Sequence, residues 1–256
     1  WTRAPYDQET QQQARQLIDQ GEDALIDAFY QDLDFGTGGL RGIMGVGTNR
    51  VNRYTLGLAT QGLANYLAKQ LPGKQHKVAI AFDSRNNSKK FSTEIADVLA
   101  ANGITVHLFE DLRPTPELSF AIRHLNCDAG IVITASHNPP EYNGYKVYWN
   151  DGGQLVPPHD KGVIEEVRKV KPQEVKYGGD QSLIHIEGEA LDKAYLNELI
   201  KQCLTTDGKN NLRVVFTSIH GTSITAMPQA LDAAGFSNVH IVEEQATPDG
   251  NFPTVE

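Results

Sequence analysis

Apolar residues recur along this chain with two different periods, and the alternation between them predicts an α/β fold. Behind Asp7 and Thr10, the positions Ala14, Leu17 and Ile18 keep helical spacing, and Gly21 supplies a stop. A second short helical pattern, Ala24, Leu25, Ala28 and Phe29, runs into Phe35-Gly-Thr-Gly-Gly-Leu-Arg-Gly42. That segment is too rich in glycine for either regular structure and is predicted to be a loop. Asn52 caps a third helix with Leu56, Ala59, Leu63, Tyr66 and Leu67 on one face. From Lys77 the period shortens. Val78 to Phe82 is predicted as a strand, Asp83-Ser-Arg85 as a turn, and Ser88 opens a helix with Phe91, Ile95, Val98 and Leu99 inward. Gly103 ends it and the strand Ile104 to Phe109 follows, which makes a βαβ unit whose parallel strands need a crossover and helices covering the sheet. Thr115-Pro116 starts a further helix through Leu125, and Ala129 to Thr134 reads as a buried strand ending in Ala135-Ser-His-Asn-Pro139. Ser136 and His137 therefore fall at the C-terminal end of a strand, where open α/β sheets bind their ligands.

A weaker echo of this order comes later: a strand Leu212 to Phe216, a helix Ile224 to Ala234 stopped by Gly235, a strand Val239 to Val242, then Thr247-Pro248. It matches the run from Val78 through Gly103 to Thr115-Pro116 and predicts two domains of one α/β type. The polar stretch from Lys171 to Gly188 is the natural boundary region, so the domains are expected at 1–188 and 189–256, with helix Leu191 to Leu204 opening the second.

Composition narrows the function classes. The chain of 256 residues, 39% hydrophobic and 21% charged, is globular and long enough for a real core. Lys and Arg number 23 against 32 Asp and Glu, a net charge of −9 that disfavours nucleic acid and anionic membranes as partners. An anionic metabolite is still compatible, provided that a few basic groups and backbone N–H groups act locally in one cleft. Cys127 and Cys203 have neither disulfide-framework nor zinc spacing, and no apolar run approaches a membrane span, so a reducing cytoplasm is the expected location.

Three segments carry candidate chemistry. Gly36 to Gly42 offers free backbone N–H groups and the Arg41 guanidinium, which could cradle a phosphate, although it matches neither dinucleotide nor P-loop patterns. Asp83-Ser-Arg85 follows a strand, as many plain turns do. Ser136-His-Asn138 is sharper, because a hydroxyl beside an imidazole suits acyl or phosphoryl transfer. Acyl hydrolases of this topology place Ser between glycines, and here Ala135 and His137 flank it. Adjacent side chains tend to diverge, so His137 is not automatically the base for Ser136. Pro139-Pro140 fixes the chain beyond, and Lys146 returns after Tyr142-Asn-Gly144, which gives a loop shaped to hold a phosphate on Ser136.

Taken in order, Phe35-Gly-Thr-Gly-Gly-Leu-Arg-Gly42, Asp83-Ser-Arg85, Thr134-Ala-Ser-His-Asn-Pro139 and Asn143-Gly-Tyr-Lys146 resemble the α-D-phosphohexomutases, the phosphoglucomutase and phosphomannomutase superfamily. The run Asn143 to Trp149 with Pro158-His-Asp-Lys-Gly162 is most similar to the phosphoglucomutase branch that also accepts phosphopentoses. The resemblance implies a mixed, mostly parallel sheet sandwiched by helices in one complete domain, followed by a second, related, truncated α/β domain. It implies that Ser136 is the phosphoserine, that Arg41 and Lys146 stand beside it, and that His137 and Lys146 are candidate proton-transfer groups. Asn138 then positions the loop and binds phosphate with Arg41 and Lys146, while Asp83 and Arg85 support it. The family uses Mg²⁺, bound in this chain through the phosphoryl oxygen on Ser136, and glucose 1,6-bisphosphate as activator and intermediate. Its aspartate metal loop and its third- and fourth-domain sugar and phosphate loops have no match here, so the chain reads as the first domain and part of the second, inactive without the C-terminal remainder. The expected parent reaction interconverts glucose 1-phosphate and glucose 6-phosphate. The alternatives are a phosphopentomutase, a phosphomannomutase, or a non-catalytic module that kept the fold.

Overall fold

A computed structural model of the protein describes all residues except 37, 38, 206 and 256. Two helices, α1 (Gln8–Asp19) and α2 (Glu22–Phe29), lead into a pair of short strands, β1 (Phe35–Gly36) and β2 (Gly39–Ile43). The segment Phe35 to Gly42, expected as a loop, is thus largely strand, with Thr37 and Gly38 outside the described residues. Its backbone N–H and C=O groups pair with a neighbouring strand, so glycine propensity is overridden by tertiary context. The third helix α3 (Arg53–Gln70) starts as expected at Asn52, whose side chain accepts from the N–H groups of Tyr54 and Thr55 while the Thr55 hydroxyl accepts from the Asn52 N–H.

The predicted βαβ unit is present as β3 (Lys77–Phe82), α4 (Ser88–Ala101) and β4 (Thr105–Phe109), followed by α5 (Thr115–His124) and β5 (Ala129–Ile133). Three elements were not read from the sequence: β6 (Tyr142–Trp149), α6 (His159–Lys169) and the edge strand β7 (Ile184–Glu187). The helix α7 (Glu189–Lys201) comes next. The seven strands form one sheet in the order β1-β2-β6-β5-β3-β4-β7. Strands β5, β3, β4 and β7 run parallel, whereas β6 is antiparallel to both β5 and β2. The result is the mixed, mostly parallel sheet that the resemblance implied.

Alternation along β3 shows how the sheet is covered. Val78, Ile80 and Phe82 face a core shared with Leu56 and Leu63 of α3, Ile95 and Leu99 of α4 and Val163 of α6. Ala79 and Ala81 face the opposite core with Leu118, Ala121 and Ile122 of α5 and Leu191 of α7. Both faces are buried, which explains why β3 and β5 read as continuous apolar runs.

The second unit holds β8 (Val214–Phe216) and β9 (Val239–Ile241), paired in parallel, with α8 (Met227–Ala233) between them. The helix expected over 224–234 is divided. A 3₁₀ turn covers Thr222–Thr225, and α8 begins anew with Pro228 in its first turn. Proline lacks the N–H that a continuous helix would donate four residues back.

Gly144 pins β6 to its neighbours. A Cβ there would come within 2.7 Å of the Leu40 carbonyl oxygen and 2.8 Å of the Thr134 carbonyl oxygen, both main chain on opposite sides. Gly144→Ala is expected to destabilise the intact protein by about 2–3 kcal/mol, because neither strand can withdraw without losing ladder bonds. Chemical denaturation checks this; an unchanged midpoint would mean that β2 moves freely.

Candidate active site

Parallel neighbours end on the same side of a sheet, so the loops after β3 and β5 meet. The bond from the Asp83 N–H to the Ile133 carbonyl, 3.1 Å long, joins them at the sheet edge. Ser136 sits three residues past the end of β5 with its N–H on the Thr134 hydroxyl at 2.9 Å, and its φ of 57° places it in the left-handed region. A non-glycine residue is strained there and needs surroundings that hold it.

Those surroundings are built on Arg85. Its guanidinium donates from Nη1 to the carbonyls of Pro139 (2.9 Å) and Tyr142 (3.2 Å) and from Nη2 to those of Ser136 (2.8 Å) and Asn138. Arg85 is only 4% exposed, and Asp83 faces its Nε at 3.6 Å. The Asp83 carboxylate also accepts from the Arg85 N–H (3.0 Å) and the Ser88 hydroxyl (2.8 Å). Burial nevertheless pushes the Asp83 carboxyl above the usual range, and burial depresses Arg85 despite its carboxylate neighbours. Asn143 ties the same corner, donating to the Asn86 carbonyl (3.0 Å) and the Ser88 hydroxyl (2.9 Å).

Around Ser136 lies an open cleft of about 350 Å³. The first unit contributes Asp83, Thr134, His137 and Lys146, and the second contributes Gly221, Thr222 and Phe252. Of the residues singled out from sequence, Ser136, His137, Lys146 and Asp83 share this cleft. Arg85 and Asn138 do not line it; they stand behind Ser136, joined by a hydrogen bond from the Arg85 guanidinium to the Asn138 carbonyl. Arg41 does not line it: it is exposed on β2 opposite Gly144, two strands away from β5. The expectation that the Ser136 and His137 side chains diverge is corrected, since Oγ and Nδ1 are 3.3 Å apart. The left-handed kink at Ser136 turns both side chains to one side.

Sequence reasoning missed Arg113, which also lines the cleft. A basic residue in the loop after β4, next to the Thr115-Pro116 helix start, was the available signal. Arg113 donates from Nε and Nη2 to both oxygens of Asp192 on α7, each at 2.8 Å. Glu117, buried below it with Oε1 unpartnered, is pushed up to about 8 by burial and then by Asp192. Burial raises Asp192 too, but the hydrogen bonds from Arg113 and Glu117 outweigh it and hold Asp192 low. Glu117 thus favours its protonated form in the folded state, so its contribution to stability is complete below its ordinary value of 4.5 and lost as pH rises through about 8. Stability of the intact protein is expected to fall by about 2 kcal/mol across that window, less than the full shift implies because Glu117 and Asp192 share the titration. Glu117→Gln should flatten the profile, which denaturation at a series of pH values measures.

Among the described residues, no group of three or more His, Cys, Asp or Glu side chains is placed to hold a metal ion. In the cleft Asp83 is the one carboxylate among the described residues, and Arg85 and Ser88 already engage it. Mg²⁺ prefers near-octahedral oxygen ligation, so these residues do not by themselves fit the ion. A second cavity of about 480 Å³, lined by Trp1, Tyr6, Leu33, Tyr54 and Val167, shares no residue with the cleft. No helix among the described residues is long and apolar enough to cross a membrane.

A strained serine beyond a strand end, an open cleft around it and a mixed sheet covered by helices on both faces define an α/β/α protein. Residues 32–174 match domain I and residues 193–256 match domain II of the phosphoglucomutase/phosphomannomutase family, and the chain belongs to that family. A phosphopentomutase of Mus musculus is 36% identical over 271 residues, covering 100% of this chain and 44% of its own length. A phosphoglucomutase of Staphylococcus saprophyticus is 39% identical over 229 residues, covering 87% of this chain and 41% of its own. The chain therefore spans less than half the length of these relatives. A solved structure from Thermus thermophilus, assigned as a phosphomannomutase, superposes with a TM-score of 0.75 at 27% identity over 88% of this chain and 48% of that one.

Proposed function

We propose that this chain is the phosphoserine-bearing part of a mutase that interconverts glucose 1-phosphate and glucose 6-phosphate. The observation that carries the reading is Ser136, strained at the end of β5 and facing a cleft with Lys146 and His137. In the first half-reaction the bond between phosphorus and the Ser136 Oγ breaks as a sugar hydroxyl oxygen attacks. That hydroxyl loses its proton to a base, for which His137 and Lys146 are the candidates, and the leaving Ser136 Oγ takes up a proton, which it gives up again when it attacks in the second half-reaction. The sugar bisphosphate then reorients, its other phosphoryl group returns to Ser136, and the leaving sugar oxygen recovers a proton. Lys146 supplies positive charge where the transferred oxygens gather negative charge. Arg41 has this role only if β2 shifts, and Asn138 keeps the loop in shape.

Mg²⁺ on the Ser136 phosphoryl oxygen and glucose 1,6-bisphosphate as activator belong to the same reading, as does a reliance on sugar- and phosphate-holding groups beyond this chain. The similarity to a phosphopentomutase and to a phosphomannomutase structure favours two sibling substrates, phosphopentoses and mannose phosphates. Intact-mass spectrometry should show one phosphoryl group on Ser136. Coupled assays of the intact protein with glucose 1-phosphate, ribose 1-phosphate and mannose 1-phosphate rank the substrates. A protein with neither phosphate on Ser136 nor turnover of any of the three would be a non-catalytic module instead.

A further inference from the structure

The guanidinium of Arg85 spends all four terminal N–H groups, in its plane, on carbonyls of residues 136–142. Its Nε edge faces Asp83 at 3.6 Å, and its flat faces are left for contact with the rest of the molecule. One face is covered by a residue from the other unit: the Phe252 ring, whose centroid lies 5.1 Å from the guanidinium carbon. Phe252 also lines the cleft that contains Ser136.

The segment carrying Phe252 is docked at several points. Gly250 approaches so closely that a Cβ would lie 2.5 Å from the Asn86 backbone nitrogen and 3.0 Å from the Arg85 carbonyl carbon. Asn86 donates to the Asn251 side-chain oxygen at 3.0 Å. On the side of the second unit, His220 is 3% exposed and bridges the segment, with Nδ1 on the Thr247 carbonyl and Nε2 on the Thr254 hydroxyl, both at 2.9 Å. A carbonyl only accepts, so Nδ1 donates. The Asp249 N–H returns to the His220 carbonyl at 3.1 Å, and Phe252 itself holds a φ of 49°. These bonds aim the ring from both flanks.

We propose that Phe252 is a positioning residue for Ser136: it seats the second unit on Arg85 and so sets the shape of the 136–142 loop. A ring over the guanidinium keeps water from the face of a group whose hydrogen bonds organise the loop, and its quadrupole attracts the charge. The link to turnover rests on the mutase reading above, whereas the link to loop shape does not.

The test compares Phe252→Leu and Phe252→Tyr with wild type in the intact protein, reading hydrogen exchange at the amides of Asn138 and Tyr142 together with kcat and KM. Those amides donate within the loop, to Ala135 (3.2 Å) and Pro139 (3.1 Å). Phe252→Leu is expected to exchange about tenfold faster there and to lose about tenfold in kcat, with KM for the sugar phosphate within about twofold. Phe252→Tyr, which keeps the aromatic face, should restore both. Exchange in Phe252→Leu equal to wild type overturns the proposal, as does a Tyr variant no better than Leu. A wild type without turnover that still shows this exchange pattern overturns the mutase reading and upholds the positioning role.

Discussion

Ser136→Ala is expected to abolish mutase turnover in the intact protein, by at least ~10⁴-fold, while leaving its stability within about 0.5 kcal/mol. The Oγ is the atom proposed to carry the phosphoryl group, and His137 cannot replace it from 3.3 Å away without a new covalent route. The side chain packs against no core, since Ser136 is exposed, and alanine occupies the same left-handed backbone at similar strain. Turnover assays with added glucose 1,6-bisphosphate and a thermal melt make the measurement. Near-normal turnover in the alanine variant would remove Ser136 from the chemistry and the proposed reaction with it.

Arg85 is expected to show the largest combined effect on folding and activity. Arg85→Met leaves four loop carbonyls without their donor and Asp83 as a half-buried carboxylate beside an apolar chain. Breaking one side of a buried pair typically costs about 3–5 kcal/mol, and here the loop that holds Ser136 in a strained conformation also loses its support. Turnover should fall by at least ~10²-fold even where the fold survives, because a small displacement of the nucleophile spoils in-line attack. Arg85→Lys restores the charge but not the planar fork: one ammonium nitrogen has three donors and cannot reach carbonyls of four residues. It is expected to regain part of the stability and little of the activity. Urea denaturation and turnover of both variants check this, and a lysine variant equal to wild type would show that charge alone organises the loop.

The proximity of the two units in the cleft gives these predictions a common frame. Phe252 over Arg85 joins them. Gly221 and Thr222 of the second unit complete the cleft wall. An acidic chain with a net charge of −9 can thus present Lys146, His137 and Arg113 locally to an anionic ligand, as the composition required.

The amino-acid sequence by itself determined the parts whose signal is local. Long apolar runs such as Val78 to Phe82 and Ala129 to Ile133 are strands because both faces of a parallel sheet are dry, and Asn52 starts α3 because its side chain satisfies the first free N–H groups. The motif around Ser136 likewise announced the family. Tertiary structure alone decided what depends on partners distant along the chain. β2 and β6 are strands although Gly39, Gly42, Asn143 and Gly144 resist that state, because each supplies the other's hydrogen bonds in register Gly39 to Lys146 through Ile43 to Tyr142. The same pairing leaves Arg41 outside the cleft that its motif suggested. Arg85 gains its role from carbonyls 51 to 57 residues away, and Phe252 from an arginine in the other unit. No window of sequence contains both members of such a pair, so these contacts around the Ser136 loop exist only once the chain has folded.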